Sequence, residues 1–473
     1  MAINAVTDKA MGYTLWISFM NGFTSLVNND VKDWASLEAI VDAEGAAARS
    51  IRYAVEPARE VSNAQMMNPG MSEIPLINGE PEDIQEKEAV AKQLEVVAEF
   101  DNNVFERVSL SPELYYASPM ATAMYNKMVT AKESLILQYY GDGTGRQASL
   151  ASVGAVVNDG STDNITLVFN NVSSKPGCPY WIRENQKLVA YDNSGNAHDP
   201  AVTAGTVSYL KVISVDYSQK SAIVGAYASD GTKLDITGAG TLVADDALFN
   251  ASDETNGGTF NLSSVADYGN LLYMPGLQSL GAADGRTVNG TVLSGSFGGT
   301  EVDAGGETLF FTRLGEGLSK LDRRVGNGKY DYPQIKTSYD TWRFLTDLDE
   351  GNKFLRPIEV IDDNGRGAKK YMYFHDDYAC DVVRRRFVPD YEMWAEPKMI
   401  DAMAAEDATI APPLSFRFTG FDYVKEPGND KIFRFKIKDS QRVQRVQCHL
   451  QTYGTFICTQ SASILRWKNF TLS

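Results

Sequence analysis

The stretch "YYGDGTG", residues 139–145, alternates Gly141, Gly143 and Gly145 with Asp142 and Thr144 directly behind a long helical pattern. Glycines at this spacing can cradle a phosphate, because a bare backbone lets N–H groups close on the anion. A dinucleotide fingerprint, however, needs G-x-G-x-x-G after a strand and opening a helix, where the free N–H groups and the helix dipole meet the phosphate. Here the glycines follow a helix C-terminus, where the dipole has the wrong sign for an anion. The position of the third motif glycine is Arg146, and no Lys-Ser/Thr follows for a Walker loop. Order and charge both oppose a phosphate cradle here.

Other chemistry is equally thin. The three histidines, His198, His375 and His449, are far apart, and no H-E-x-x-H occurs. "HDDYAC" gathers His375, Asp376, Asp377 and Cys380, but a hairpin end with solvated acids accounts for it. "IDDNGRG" matches a calcium loop only at Asp362, Asn364 and Gly365, with Val360 at the first ligand position and Tyr371 at the twelfth. No metal and no cofactor is expected. There is no G-x-S-x-G nucleophile elbow, and nothing in the spacing of 61 Asp and Glu residues selects a catalytic pair. No residue is assigned a catalytic role, and the chain is expected not to be an enzyme.

Charge narrows the partners. A net charge of -17 and a pI near 4.8 argue against a general nucleic-acid binder, whose affinity comes from clustered Lys and Arg. The basic spots are Arg384, Arg385 and Arg386, and the tail with Arg434, Lys436, Arg442 and Arg445. In an acidic chain these are candidates for pairing with carboxylates on a neighbouring copy. Cys178, Cys380, Cys448 and Cys458 lack C-x-x-C spacing and read as reduced, buried thiols in a cytoplasmic setting. The N-x-[ST] triplets at Asn164 and Asn261 read as chance matches. "MGYTLWISFMNGFTSLV" from Met11 has no basic leader or cleavage site and reads as a docking segment, not a signal peptide or membrane span.

The elements around these residues divide the chain into lobes, as 473 residues with 43% apolar content suggest. Trp34, Leu37, Ile40 and Val41 recur at helical spacing and predict an amphipathic helix near the N-terminus. From Pro57 to Leu110 runs a long excursion with no convincing helix before its charged middle. Ser118-Pro119 then starts the clearest helix, with Met120, Met124, Met128, Ala131 and Leu135 on one stripe and Gly141 at its stop. After Gly145, "ITLVF", "KLVAYD", "YLKVISVDY" and "AIVGAY" predict a compact β sandwich or barrel over 150–250. Asn289-Gly290 marks a tight turn in a Gly, Ser and Thr-rich passage reaching about 306. "ETLFFTRLGEGLSKLDRRVG" predicts a helix, followed by a buried strand and a short helix in "YPQIKTSYDTWRFLTDL". A hairpin turns at Asn364-Gly365, and "KIFRFKIK" alternates Phe433, Phe435 and Ile437 with Arg434, Lys436 and Lys438. No solenoid repeat is visible.

This order of parts resembles the major capsid protein of tailed double-stranded DNA bacteriophages, the HK97-like fold. The resemblance rests on the helix entering Gly-Asp-Gly-Thr-Gly, on "YMPGLQSLGAADG" at 273–285, on "LSKLDRRVGNGKYDYPQIKTSYDTWRFL", and on "TYGTFICTQSASILRW" near the end. It implies an α+β fold with an N-terminal arm and helix over 1–54 and an extended loop over 55–110. A long spine helix of the peripheral domain over 111–149, an inserted β-rich lobe over 150–250, and an axial domain with returning peripheral strands over 251–473 complete it. Gly141–Gly145 would form the structural turn after the spine helix, held by side-chain bonds from Asp142 and Thr144.

The implied function is mechanical: a virion shell subunit that assembles with itself into hexamers and pentamers in the host bacterial cytoplasm. It would form a precursor shell that matures on packaging and enclose DNA without sequence-specific binding. A portal protein, a separate scaffolding protein and decoration proteins are the implied partners, with no membrane. The alternatives are a phage tail, fibre or carbohydrate-binding structural protein, and an encapsulin-type compartment shell.

Overall fold

The computed structural model describes residues 38–41, 50–58, 84–101, 119–158, 163–172, 177–192, 194–251, 273–309, 311–326, 330–348, 355–361, 367–375, 378–399, 413–418, 422–423, 433–437 and 444–472. It is a mixed α+β chain, rich in strands, with helices α1 (Pro119–Tyr140), α2 (Leu277–Leu280), α3 (Phe311–Val325) and α4 (Tyr339–Leu348) among the described residues. The chain divides into two units. One comprises 1–52, 88–139 and 415–457, the other 53–87, 140–414 and 458–473.

In the first unit α1 opens on Pro119, whose missing N–H falls where a helix has no acceptor for it. Its second half buries Ala131, Leu135, Ile136 and Tyr139 at three- and four-residue intervals. Tyr139 meets Phe456 at 5.4 Å between ring centroids, and Phe456 lies 5.1 Å from Phe416. These rings anchor the helix on a sheet whose central strand is Gln444–Cys458. That strand pairs antiparallel with Lys92–Asp101 and with Phe433–Ile437. The strand Leu414–Phe418, in the same sheet, pairs in parallel with Glu38–Val41.

Two expectations fail here. The amphipathic helix expected around Trp34–Val41 is replaced by the strand Glu38–Val41, followed by Ser50–Val55. In "SIRYAV" Ile51, Tyr53 and Val55 turn inward and Arg52 and Ala54 outward, a period of two. β-branched Ile40, Val41, Ile51 and Val55 favour this geometry, and helical spacing over only a few residues does not outweigh them. The charged middle of the excursion is not a helix either. It forms strands Gln85–Val90 and Lys92–Asp101, the latter fixed by a ladder to a segment near the other end of the sequence.

The second unit contains a closed β barrel. Ala148–Asn158 pairs with Asp163–Phe169, then in turn follow Ser221–Tyr227, Tyr209–Asp216, Lys187–Tyr191 and Ala247–Asn250, which pairs back onto Ala148–Asn158. Every pairing in this ring is antiparallel, so the sheet closes and leaves no edge around it. Leu150, Leu167, Leu188, Leu210, Val212, Val224 and Leu248 fill the interior. Closure explains how a lobe of short strands buries a core of its own.

Beside it lies a sheet in the order Thr300–Asp303, Leu465–Lys468, Glu392–Ala395, Gln334–Thr337, Tyr378–Arg384, Gly367–His375, Leu355–Ile361. Helix α3 buries Phe311, Leu314, Leu318, Leu321 and Val325. Gly317 admits the indole of Trp467, since a Cβ there would stand 2.4 Å from its Nε1. Trp467 Nε1 donates to the Arg313 carbonyl at 2.8 Å. Each such buried aliphatic side chain contributes about 1.5–3 kcal/mol.

Candidate functional site

Gly141–Gly145 lies at the exit of α1, and its geometry explains the residue types. Gly143 and Gly145 adopt φ of 83° and 82°, a left-handed conformation that L side chains avoid. The Asp142 carboxylate accepts the Thr144 N–H at 2.9 Å and the Thr144 hydroxyl at 2.5 Å. The Thr144 oxygen in turn accepts the Arg146 N–H at 3.2 Å. Ser279 of α2 donates to the Asp142 carbonyl, and Tyr273 N–H to the Gly143 carbonyl at 3.3 Å. A Cβ on Gly145 would stand 2.4 Å from the Tyr273 ring. The carboxylate inside the turn occupies the space an anion would need and repels one, so this is a joint rather than a phosphate cradle.

A second joint mounts the barrel. Asp390 is 4% exposed, and its Oδ2 accepts from Lys220 Nζ at 2.9 Å, Tyr180 hydroxyl at 2.6 Å and Asn171 Nδ2 at 2.8 Å. Nearby, Trp181 Nε1 donates to the Phe387 carbonyl at 2.8 Å and Tyr391 hydroxyl to the Gly177 carbonyl at 2.9 Å. Burial and then the Asp390 charge push the Tyr180 phenol well above its ordinary pKa, so it remains a donor at every working pH. These contacts join one end of the barrel to the segment 387–391. The signal in the sequence was weak, because Asp390 belongs to an ordinary "VPDY" turn and its partners are distributed over three separate segments.

Buried ion pairs fix the neighbouring sheet. Lys336 and Glu396, each 1% exposed, meet at 2.6 Å. Arg466 is held between Glu392 and Glu301, the latter at 3.3 Å, while its guanidinium lies 5.1 Å from the Trp394 ring centroid. Burial opposes the Arg466 charge, and the two carboxylates outweigh that cost and raise its pKa. Glu301 also accepts from Lys468 Nζ at 2.7 Å, so the Arg466 pairs extend to the edge of the sheet.

The expected contact residues separate. Arg384 is exposed on the second unit and lies 5.3 Å from the ring centroids of both Tyr339 and Trp342. Arg385 donates to Gln334 at 3.0 Å, and Arg386 lies over Phe387. A groove of about 310 Å³ runs between Trp342, Tyr371, Asp381 and Arg384. In the first unit Lys436 and Arg445 face one another in register, with Arg434 opposite Gln447. Their side chains and Arg442 lie outside the described ones.

No triad of His, Cys, Asp and Glu suited to a metal occurs among the described residues. Burial pushes the Cys380 and Cys458 thiols up to about 12, which leaves them unreactive at neutral pH. No described helix is long and apolar enough to cross a membrane.

No protein-family profile matches the chain, and no curated protein does. Among solved structures it is similar to the cyanophage A-1(L) capsid asymmetric unit, at 10% identity over 92% of this chain and 91% of that one, with a TM-score of 0.42. It is also similar to the holo-SrpI encapsulin complex from Synechococcus elongatus PCC 7942, at 7% identity over 92% and 86%, with a TM-score of 0.37. The capsid of Ralstonia phage GP4 matches at 8% identity over 92% and 86%, with a TM-score of 0.33.

Proposed function

We propose that this chain is the structural subunit of a closed capsid shell that encloses double-stranded DNA. The observation that carries this reading is the joint at Gly141–Gly145. The 22-residue helix α1 ends in a Gly-Asp-Gly-Thr-Gly turn locked by its own carboxylate, a feature on which the resemblance to the HK97-like fold rests. The buried charges point the same way. Asp390, Lys336–Glu396 and Arg466 are used to hold lobes and strands in place, which suits a part that bears load rather than one that turns over substrate.

In this reading copies associate as hexamers and pentamers through interfaces of about 2,000 Å² or more, the class typical of permanent assemblies. They first form a precursor shell on a separate scaffolding protein, with a portal and decoration proteins as further partners. The shell matures as DNA enters. The net charge of -17 keeps the lining from gripping phosphate. Nuclease protection tests the genome-enclosing role: particles from cells expressing the chain with its neighbouring genes should hold nuclease-resistant DNA. Particles that hold a protein cargo and no DNA would assign the chain to a compartment shell instead.

A further inference from the structure

Carboxylates gather at one end of the barrel as its topology dictates, while Asp216 and Glu184 lie toward the other. Lys187–Tyr191 runs from the mounted end, near Lys220 and Asn171, to a free rim. At that rim the pairings place Asp192 just beyond Tyr191, Asp246 just before Ala247, and Asp163 at the start of its strand. Asp230, in the turn after Tyr227, belongs to the same end, and Asp235 reaches it by accepting the Asp163 N–H at 3.0 Å. Asp230, Asp235 and Asp245 are exposed, and Asp163 and Asp192 half-buried. Val243, 52% exposed, adds an apolar spot to the rim.

Of the described cations of the lobe, Lys233, paired with Tyr227 across the Asp230 turn, stands where one wall meets the rim, and the others lie away from it. Lys220 and Arg183 face the mount, on Asp390 and over the Phe387 ring. Lys187, Lys211 and Lys233 lie together on one wall. Lys187 stands opposite Lys211, Lys211 opposite Gly225, and the Lys233 chain crosses that bare glycine. Among them Tyr209 and Tyr227 stack at 5.5 Å with an interplanar angle of 4°, and Lys187 Nζ lies 4.5 Å from the Tyr209 centroid. The stacked tyrosines have the composition of an interface centre, and the lysines around them that of its polar rim.

We propose that this lysine–tyrosine wall docks on the aspartate rim of the barrel of a second copy of this chain. The inference rests on the self-assembly reading and names one of its contacts. Wall and rim are different surfaces of one lobe, so the contact is heterologous and repeats from copy to copy, closing where the rotation allows. Only a second copy supplies the matching rim from the same sequence, and an acidic chain carries excess carboxylate to every neighbour.

The test mixes isotopically heavy and light full-length chains before assembly and applies a zero-length carbodiimide cross-linker. The expected result is heavy–light links from Lys187, Lys211 or Lys233 to Asp163, Asp192, Asp230, Asp235 or Asp245, lost in the variant K187E/K211E/K233E. A second variant, K187Q/K211Q/K233Q, should weaken assembly with an unchanged barrel melt, which separates a lost contact from a lost fold. Shells that form without these heavy–light links overturn this inference and leave the shell reading standing. A chain that stays monomeric overturns both. Retention of the wild type, but not the variants, on dextran sulfate without copy-to-copy links would give the wall to a polyanion and overturn the proposal.

Discussion

Lys220 of the barrel places its Nζ 2.9 Å from Oδ2 of Asp390, and the same oxygen receives Tyr180 and Asn171. A single buried carboxylate thus collects donors from separate barrel segments, so the lobe is seated on the rest of its unit by charge as well as by packing. Asp390→Ala should destabilise the protein by about 2–4 kcal/mol, since it removes charge-assisted bonds and leaves buried donors without an acceptor. Denaturant unfolding checks the magnitude, and faster hydrogen exchange at residues 177–182 checks the place.

Glycine is required at position 145 for two independent reasons: its φ of 82° and the ring of Tyr273 against its Cα. Gly145→Ala should therefore cost more than the roughly 1–2 kcal/mol of a left-handed alanine alone. Gly145→Ala with Tyr273→Ala should relieve the clash but not the backbone strain. A double-mutant cycle on thermal unfolding measures the coupling, and additive losses would contradict the contact.

Lys336 and Glu396 are both shut away from water. Removing one charge, as in Glu396→Gln, should cost about 3–5 kcal/mol, because the other remains buried and uncompensated. Lys336→Met with Glu396→Leu should recover most of that loss. Urea midpoints for the single and double variants decide the matter.

The barrel turns predict an acid response. The Asn196 side chain holds Asp192 below the ordinary carboxylate pKa, the Ser218 hydroxyl does so for Asp216, and the Thr232 N–H for Asp230. A carboxylate whose folded pKa is depressed stabilises the fold above its unfolded value, and that contribution disappears as pH falls through the folded value. The ordinary value is 3.8. Thermal stability of the barrel should thus change little between about pH 7 and 5 and decline below about pH 4. Asp216→Asn should flatten that decline.

Several elements were legible because a local signal agreed with the tertiary outcome. Ser118-Pro119 announced α1, and short β-branched runs announced the barrel. Asn289-Gly290 sits with φ of 49° and 77° between Thr287–Val288 and Thr291–Val292, the left-handed pair that a two-residue hairpin demands. The strand–helix pair Gln334–Thr337 and α4 followed the same way. Where the outcome depended on distant partners, local pattern misled. Lys92–Asp101 has the charge of a solvated helix, yet it is a strand because Gln444–Cys458 supplies its ladder. The Asp390 joint was invisible for the same reason, whereas Lys336 inside the apolar "YPQIKTSY" was a signal of a buried pair that could have been read.

The most direct test is electron microscopy of the full chain expressed with and without the products of its neighbouring genes. The account predicts uniform closed shells, or hexamer-like rings and tubes of the same subunits when the partners are absent. Trimers or monomers under every condition would contradict it.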